Sequence, residues 1–122
     1  MTIYEAKIVY KAIREEPGEE IVQTPTAIAA YIRDAFAERP MQEQLWVVAL
    51  NRKFKPLGRF LAFLGTLSSV NTNPREILHF ALLSHAAAIV VCHNHPSGVM
   101  PHPVLCRTVP CFRWEPALQD AA

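Results

Sequence analysis

The sequence predicts an α/β fold in which a mixed β-sheet is flanked by helices. Apolar strand-like runs alternate along the chain with amphipathic segments that carry clear helix-start signals, which is typical of this class. The chain has 122 residues, of which 51% are hydrophobic and 19% are charged, a globular rather than a disordered composition. This length predicts a single domain over residues 1–122.

The first half of the chain predicts a strand, a helix and then a hairpin of two strands. Residues 3–14 carry apolar and β-branched side chains at a spacing close to two, which indicates a strand. Thr24, as N-cap, and Pro25, as first residue, start a helix that runs to about residue 38. Residues 44–50 are nearly all apolar, as in a strand buried on both faces, and residues 57–66 return as its hairpin partner.

The second half begins with a strong helix start. Asn73 is the expected N-cap, Pro74 is the first helical residue, and Glu76 can close a capping box. The helix has an apolar stripe made of Ile77, Leu78, Ala81, Leu82 and His85. It leads into a strand over residues 86–92. Residues 99–106 show neither a helical stripe nor a clean alternation, and residues 107–122 offer at most a few residues of either type.

Charge and cysteine content limit the possible partners and location. The formal net charge of +1 gives no electrostatic case for a nucleic-acid site. No apolar run approaches the roughly 20 residues that span a bilayer, and the N-terminal residues lack a secretion signal. We therefore expect a cytoplasmic protein with no membrane partner. The three cysteines, Cys92, Cys106 and Cys111, form an odd and sparse set that indicates reduced thiols.

The most informative motif is the run His-Asn-His-Pro-Ser-Gly at residues 93–98, directly after the last predicted strand. Two histidines at positions i and i+2 can point both imidazoles at one metal ion where a strand ends. The alternative is a surface turn with two solvated histidines. A hydrolytic zinc centre also needs a third ligand and a general base.

Four segments together resemble the JAB/MPN-type domain of the RadC family, whose metal centre is the JAMM motif. They are residues 43–51, 65–69, 73–76 and 93–98, which occur in the family order within a match over about residues 20–98. The resemblance implies a zinc-dependent metallopeptidase-type hydrolase that attacks an amide or isopeptide bond of a peptide or protein. The family has also carried a DNA-repair label, although no segment here indicates DNA binding.

The resemblance implies a role for each matching position. Glu43 matches the glutamate that takes a proton from the zinc-bound water and passes it to the leaving amine. The alternative for Glu43 is an ordinary solvated carboxylate beside a strand. His93 and His95 match the zinc-binding histidines, whereas Asn94 points the other way and is expected to be structural.

Two positions depart from the family pattern. The ligand aspartate falls on Cys106, whose thiolate could bind zinc, and the oxyanion-stabilising serine falls on Pro103, which has no donor. The alternative function is therefore a catalytically degenerate binding module or a non-functional truncated fragment. A frameshift after Gly98 would explain this departure, since another frame through the codons of residues 100–101 comes close to the family sequence when the flanking codons have suitable third bases. The domain would then lack its usual C-terminal elements.

Overall fold

The computed structural model of the chain describes residues 1–15, 21–65 and 74–94, and the backbone of residues 104–110. In chain order these contain helix α1 (Pro25–Ile32), a 3₁₀ helix (Arg33–Phe36), strands β1 (Gln44–Leu50) and β2 (Pro56–Leu64), helix α2 (Pro74–Leu83), and strands β3 (Ala88–Asn94) and β4 (Val104–Pro110). The predicted α/β class is confirmed. Within these ranges no helix is long and apolar enough to cross a membrane.

The strands form one sheet in the order β2-β1-β3-β4, and each of the pairings in the described part of the chain is antiparallel. β1 lies inside the sheet, and six of its seven residues are buried, which confirms the prediction of a strand buried on both faces. The hairpin to β2 is closed by Asn51, whose Oδ1 accepts hydrogen bonds from the amides of Lys53 and Lys55 at 2.9 and 3.0 Å. Phe54 completes the turn with a left-handed φ of 62°.

Side chains of β1 and β3 alternate between the two faces of the sheet, so they form two separate cores. On the face covered by α2, here called the α2 face, the buried residues are Leu45, Val47, Ala49, Ile77, Phe80, Ala81, Ile89 and Val91. On the opposite face, called the α1 face, they are Val22, Ile28, Ile32, Ala35, Phe36, Val48, Leu50, Val90 and Cys92. Each helix therefore covers its own side of the sheet.

Helix α1 starts as predicted and ends differently. The hydroxyl oxygen of Thr24 accepts a hydrogen bond from the amide of Ala27 at 3.1 Å, and Pro25 is the first helical residue. The chain then tightens into the 3₁₀ helix at Arg33–Phe36 instead of continuing as α-helix to residue 38. The buried positions keep a helical spacing through this change, and Ile28, Ile32, Ala35 and Phe36 all pack on the α1 face.

The strand predicted over residues 3–14 is wrong, because this segment joins no strand ladder. Most of its apolar side chains are exposed, whereas Ile8 is partly buried and packs against the α2 face. Alternating apolar residues form a strand only where a neighbouring edge supplies hydrogen bonds. This segment instead crosses from the α2 face at Ile8 to Arg14, whose guanidinium donates to Asp34 at 2.7 Å beside α1.

The stripe predicted for α2 is partly wrong. Ile77 and Ala81 are buried, but Leu82 is exposed, and the buried aromatic residue is Phe80, which the stripe omitted. The helix ends at Leu83, and His85 takes a left-handed φ of 55°, so His85 leaves the helical face. The predicted N-cap at residue 73 lies outside the described residues.

The last two strands also differ from the prediction. β3 begins at Ala88 and continues through His93 and Asn94, so His93 lies within the strand rather than after it. β4 was not predicted, because its mixed polarity and terminal proline hide a segment that is defined by pairing with β3. Cys92 is disulfide-bonded, so the prediction of reduced thiols is wrong for this residue. The register places Cys106 directly opposite Cys92.

Candidate metal centre

The candidate site lies at the end of the sheet where β1 begins and β3 ends. His93 of β3 is paired in register with Leu45 of β1. Directly opposite residues of an antiparallel pair share a face, so His93 belongs to the α2 face with Leu45 and Val91. Its side chain is half-buried. The strand register therefore brings a histidine to the rim of an apolar core.

Glu43 reaches the same face from the neighbouring strand. It directly precedes β1, and its carbonyl oxygen accepts a hydrogen bond from the amide of Gly65 at 2.8 Å, which extends the β1–β2 ladder by one residue. Two residues along a strand share a face, so Glu43 lies on the side of Leu45. Glu43 and His93 are then diagonal neighbours across the two strands, an arrangement in which Cα atoms of a regular ladder are roughly 7–8 Å apart.

The Glu43 carboxylate is half-buried and keeps its acceptor oxygens available. Within residues 1–15, 21–65 and 74–94, no hydrogen bond or ion pair involves this side chain. A general base needs an acceptor oxygen that is within reach of the reacting group and is not occupied by another donor. The arrangement of Glu43 beside His93 is therefore compatible with a general base next to a metal ligand.

Asn94 is structural, as expected from the sequence. Its side chain is buried, with 6% relative exposure for the residue. Its Oδ1 accepts a hydrogen bond from the amide of Gln44 at 2.7 Å, and its Nδ2 donates to the carbonyl oxygen of Gln42 at 3.1 Å. Asn94 thus connects the end of β3 to the residues on both sides of Glu43.

Gln44 is a buried residue that the sequence reasoning missed. Its Nε2 donates to the carbonyl oxygens of Phe36 at 3.2 Å and Arg39 at 2.7 Å, and its Oε1 accepts from the indole Nε1 of Trp46 at 3.1 Å. These bonds join the start of β1 to the end of the 3₁₀ helix. The available signal was a polar residue opening an otherwise apolar strand.

The remaining predicted site residues are placed differently. His95 and Pro103 lie outside the described residues. The β3–β4 register sets Leu105 opposite His93 and Cys106 opposite Cys92, so the backbone position of Cys106 belongs to the α1 face. Among the described side chains, which exclude His95 and Cys106, no group of three His, Cys, Asp or Glu could hold a metal ion. Cys106 as a ligand stays a prediction.

A bidentate ion pair between Arg59 and Asp34 lies away from this site. The Arg59 guanidinium bonds both carboxylate oxygens of Asp34, at 2.8 and 2.9 Å, and lies 5.6 Å from the centre of the Trp46 ring. The hydrogen bond from Arg59, followed by that from Arg14, lowers the pKa of Asp34 to about 2. This cluster links β2 to the 3₁₀ helix that follows α1, and we interpret its role as structural.

Comparison with known proteins places the chain among RadC-related sequences. The family model described as the RadC-like JAB domain matches residues 22–103, a range that includes Glu43, His93 and His95. The UPF0758 protein PSEEN5431 of Pseudomonas entomophila is 36% identical over 80 residues, which are 66% of this chain and 35% of that protein. A UPF0758 protein of Clostridium kluyveri is 47% identical over 57 residues, 47% of this chain and 25% of its own length.

A third relative shows the same pattern of partial coverage. A UPF0758 protein of Rubrobacter xylanophilus is 33% identical over 87 residues, which are 71% of this chain and 38% of that protein. The chain therefore spans between about a quarter and two fifths of the length of these relatives.

Proposed function

The chain belongs to the RadC-like JAB domain family, and on that premise we propose that it is a zinc-dependent hydrolase of the JAMM type. Its substrate would be an amide or isopeptide bond in a peptide or protein. The observation that carries the proposal is the shared face of Glu43 and His93 at one end of adjacent strands. This is where a metal ligand and a base must meet for hydrolysis.

The donor chemistry of these residues fits zinc. Imidazole nitrogens are preferred zinc ligands, and His93 is half-buried at the end of a rigid strand. In this proposal His93 and His95 hold the metal, and Cys106 is the predicted third ligand. The thiolate of a cysteine suits zinc, but the strand register of Cys106 favours the side of the sheet opposite to His93. Its contribution therefore needs a separate test.

A zinc ion held there would supply a Lewis acid that lowers the pKa of water and polarises the carbonyl under attack. Glu43 would take the proton of the attacking water and deliver it to the leaving amine, because its carboxylate makes no ion pair among the described residues. The role of His93 requires the neutral imidazole, whose ring nitrogen donates a lone pair to the metal.

Zinc stoichiometry on the purified chain tests the proposal. We expect about one equivalent of zinc in the wild-type chain, loss of the metal in His93→Ala, and retention of the metal in Glu43→Gln. Hydrolysis of an isopeptide-linked lysine peptide should be lost in both variants. His85→Asn is the matched control, because it removes an exposed histidine while keeping a residue that tolerates a positive φ. Equal zinc content in His93→Ala and His85→Asn would refute the assignment of His93.

The alternative is a degenerate module of the same fold that does not hold zinc tightly. The register of Cys106 opposite Cys92, together with proline at the serine position 103, favours this alternative. Absence of stoichiometric zinc at neutral pH, in both reduced and oxidised protein, would support the module. If the purified chain contains zinc and the Cys106→Ala variant retains it, the proposed hydrolase function is supported and the third ligand is a group other than Cys106.

A further inference from the structure

We propose that Asn94 is a positioning residue for Glu43, an inference that rests on the proposed function. The β1–β3 ladder ends at the pair Leu45 and His93, although both strands continue for one more residue. At the next position the amide of Gln44 bonds to the side chain of Asn94. A side-chain carboxamide therefore replaces the last backbone rung between the two strands.

The two hydrogen bonds of Asn94 reach the two peptide groups that flank Glu43. Its Nδ2 holds the carbonyl oxygen of Gln42, which belongs to the peptide before Glu43, at 3.1 Å. Its Oδ1 holds the amide of Gln44, which belongs to the peptide after Glu43, at 2.7 Å. Fixing both peptide planes restricts φ and ψ of Glu43, and with them the direction of its Cα–Cβ bond.

The neighbouring contacts make this support rigid. The peptide after Glu43 is also held at its carbonyl end, which accepts from the amide of Gly65 at 2.8 Å. The side chain of Gln44 is completely buried and bonded to the end of the 3₁₀ helix. Asn94 itself is nearly fully buried, so water does not replace its bonds easily. The catalytic carboxylate is thus carried by a backbone segment that Asn94 fixes from the adjacent strand.

The variants Asn94→Ala and Asn94→Asp distinguish the contributions of the two hydrogen bonds that Asn94 makes to Gln42 and Gln44. Alanine removes both, whereas an ionised aspartate still accepts from the amide of Gln44 but cannot donate to Gln42. Ser84→Ala is the matched control, because the buried hydroxyl of Ser84, just after α2, donates to backbone carbonyl oxygens, at 2.7 Å from that of Phe80 and 3.3 Å from that of Ala81. The control measures the general effect of losing a buried hydrogen bond from a side chain to the backbone elsewhere.

The first readout is amide hydrogen exchange at Gly65, which bonds to Glu43 and does not touch Asn94. We expect exchange to accelerate about tenfold in Asn94→Ala, by a smaller factor in Asn94→Asp, and not selectively in Ser84→Ala. The amides of Val47 and Val91 serve as the internal reference for global opening. Unchanged exchange at Gly65 relative to this reference, in both Asn94 variants, would overturn the proposal.

The second readout is steady-state hydrolysis of the isopeptide-linked peptide. A displaced base is expected to lower kcat by about 10²-fold in Asn94→Ala, with KM and zinc content within twofold of wild type. A kcat equal to that of wild type would overturn the positioning role. If the wild-type chain itself does not hydrolyse the peptide, the proposed function fails, and the exchange at Gly65 still decides whether Asn94 orders Glu43.

Discussion

Replacing Gln44 by methionine should destabilise the chain more than any comparable change on its surface. The side chain is fully buried and makes three hydrogen bonds, two as donor to the carbonyl oxygens of Phe36 and Arg39 and one as acceptor from Trp46. Methionine has a similar length and volume, so it fills the space without supplying the donors or the amide oxygen. The change therefore isolates the polar contribution of this position.

The magnitude follows from the bonds that are lost. A net contribution of about 1 kcal/mol for each of three bonds gives a loss of about 3 kcal/mol in the free energy of unfolding. The buried carbonyl of Phe36 would add to this loss if it stays unpaired, whereas Arg39 and Trp46 are partly exposed and can reach water. For a chain of 122 residues, about 3 kcal/mol corresponds to a fall in Tm of roughly 10 °C.

Urea denaturation followed by far-ultraviolet circular dichroism measures this loss without relying on Trp46 as the probe. Gln42→Met is the control, because Gln42 is exposed and contributes to the network only through its backbone, whose carbonyl accepts from Asn94 and whose amide donates to the carbonyl oxygen of Arg39. A loss below about 0.5 kcal/mol in Gln44→Met, or an equal loss in Gln42→Met, would refute the reasoning.

Four further outcomes are expected. The pKa of Asp34 is lowered to about 2, so the stabilisation by its carboxylate is present above pH 3.8 and is lost as the pH falls towards 2. This side chain is 44% exposed, so Asp34→Asn should lower the free energy of unfolding by no more than about 1 kcal/mol at pH 7. The variant should also show a weaker loss of stability at acid pH than the wild-type chain. Thr24→Ala should cost about 1 kcal/mol in thermal unfolding, whereas Thr26→Ala, an exposed helical threonine, should not destabilise. Sequencing the coding region should reveal a frame that restores the family pattern after residue 98, and its absence would end the frameshift hypothesis. Limited trypsin digestion should cut at Lys11 before any site in the sheet; earlier cleavage within β2 would contradict the observed packing.

Local signals in this chain were sufficient for some elements. The bounds of β1 could be predicted because a continuous apolar run and its flanking turn are local properties, and the same holds for the cap at Thr24. The strand expected over residues 3–14 failed because a strand depends on a partner edge, and β4 was missed because it is defined by its partner.

In the candidate site, too, the sequence identifies individual residues but does not predict the tertiary contacts between them. Family resemblance identified Glu43 and His93, but their shared face follows from the pairing of His93 with Leu45, which no local pattern contains. The bond between Asn94 and Gln44 joins residues 50 positions apart, so its partners could not be matched from the sequence. The supporting network is therefore a product of tertiary structure, whereas the residues it supports could be named beforehand.

The N-terminal segment is attached to the domain by a few side-chain contacts instead of a strand ladder. Ile8 packs on the α2 face and the ring of Tyr10 lies over Gly58, where an added Cβ would stand 3.2 Å from it. Arg14 bonds to Asp34 beside α1. These contacts are made by residues of β2, by the α2 face and by the 3₁₀ helix, so the position of the segment depends on elements that lie far from it in the sequence. Because no strand ladder holds the segment, we expect its amides to exchange with solvent faster than those of β1 and β3.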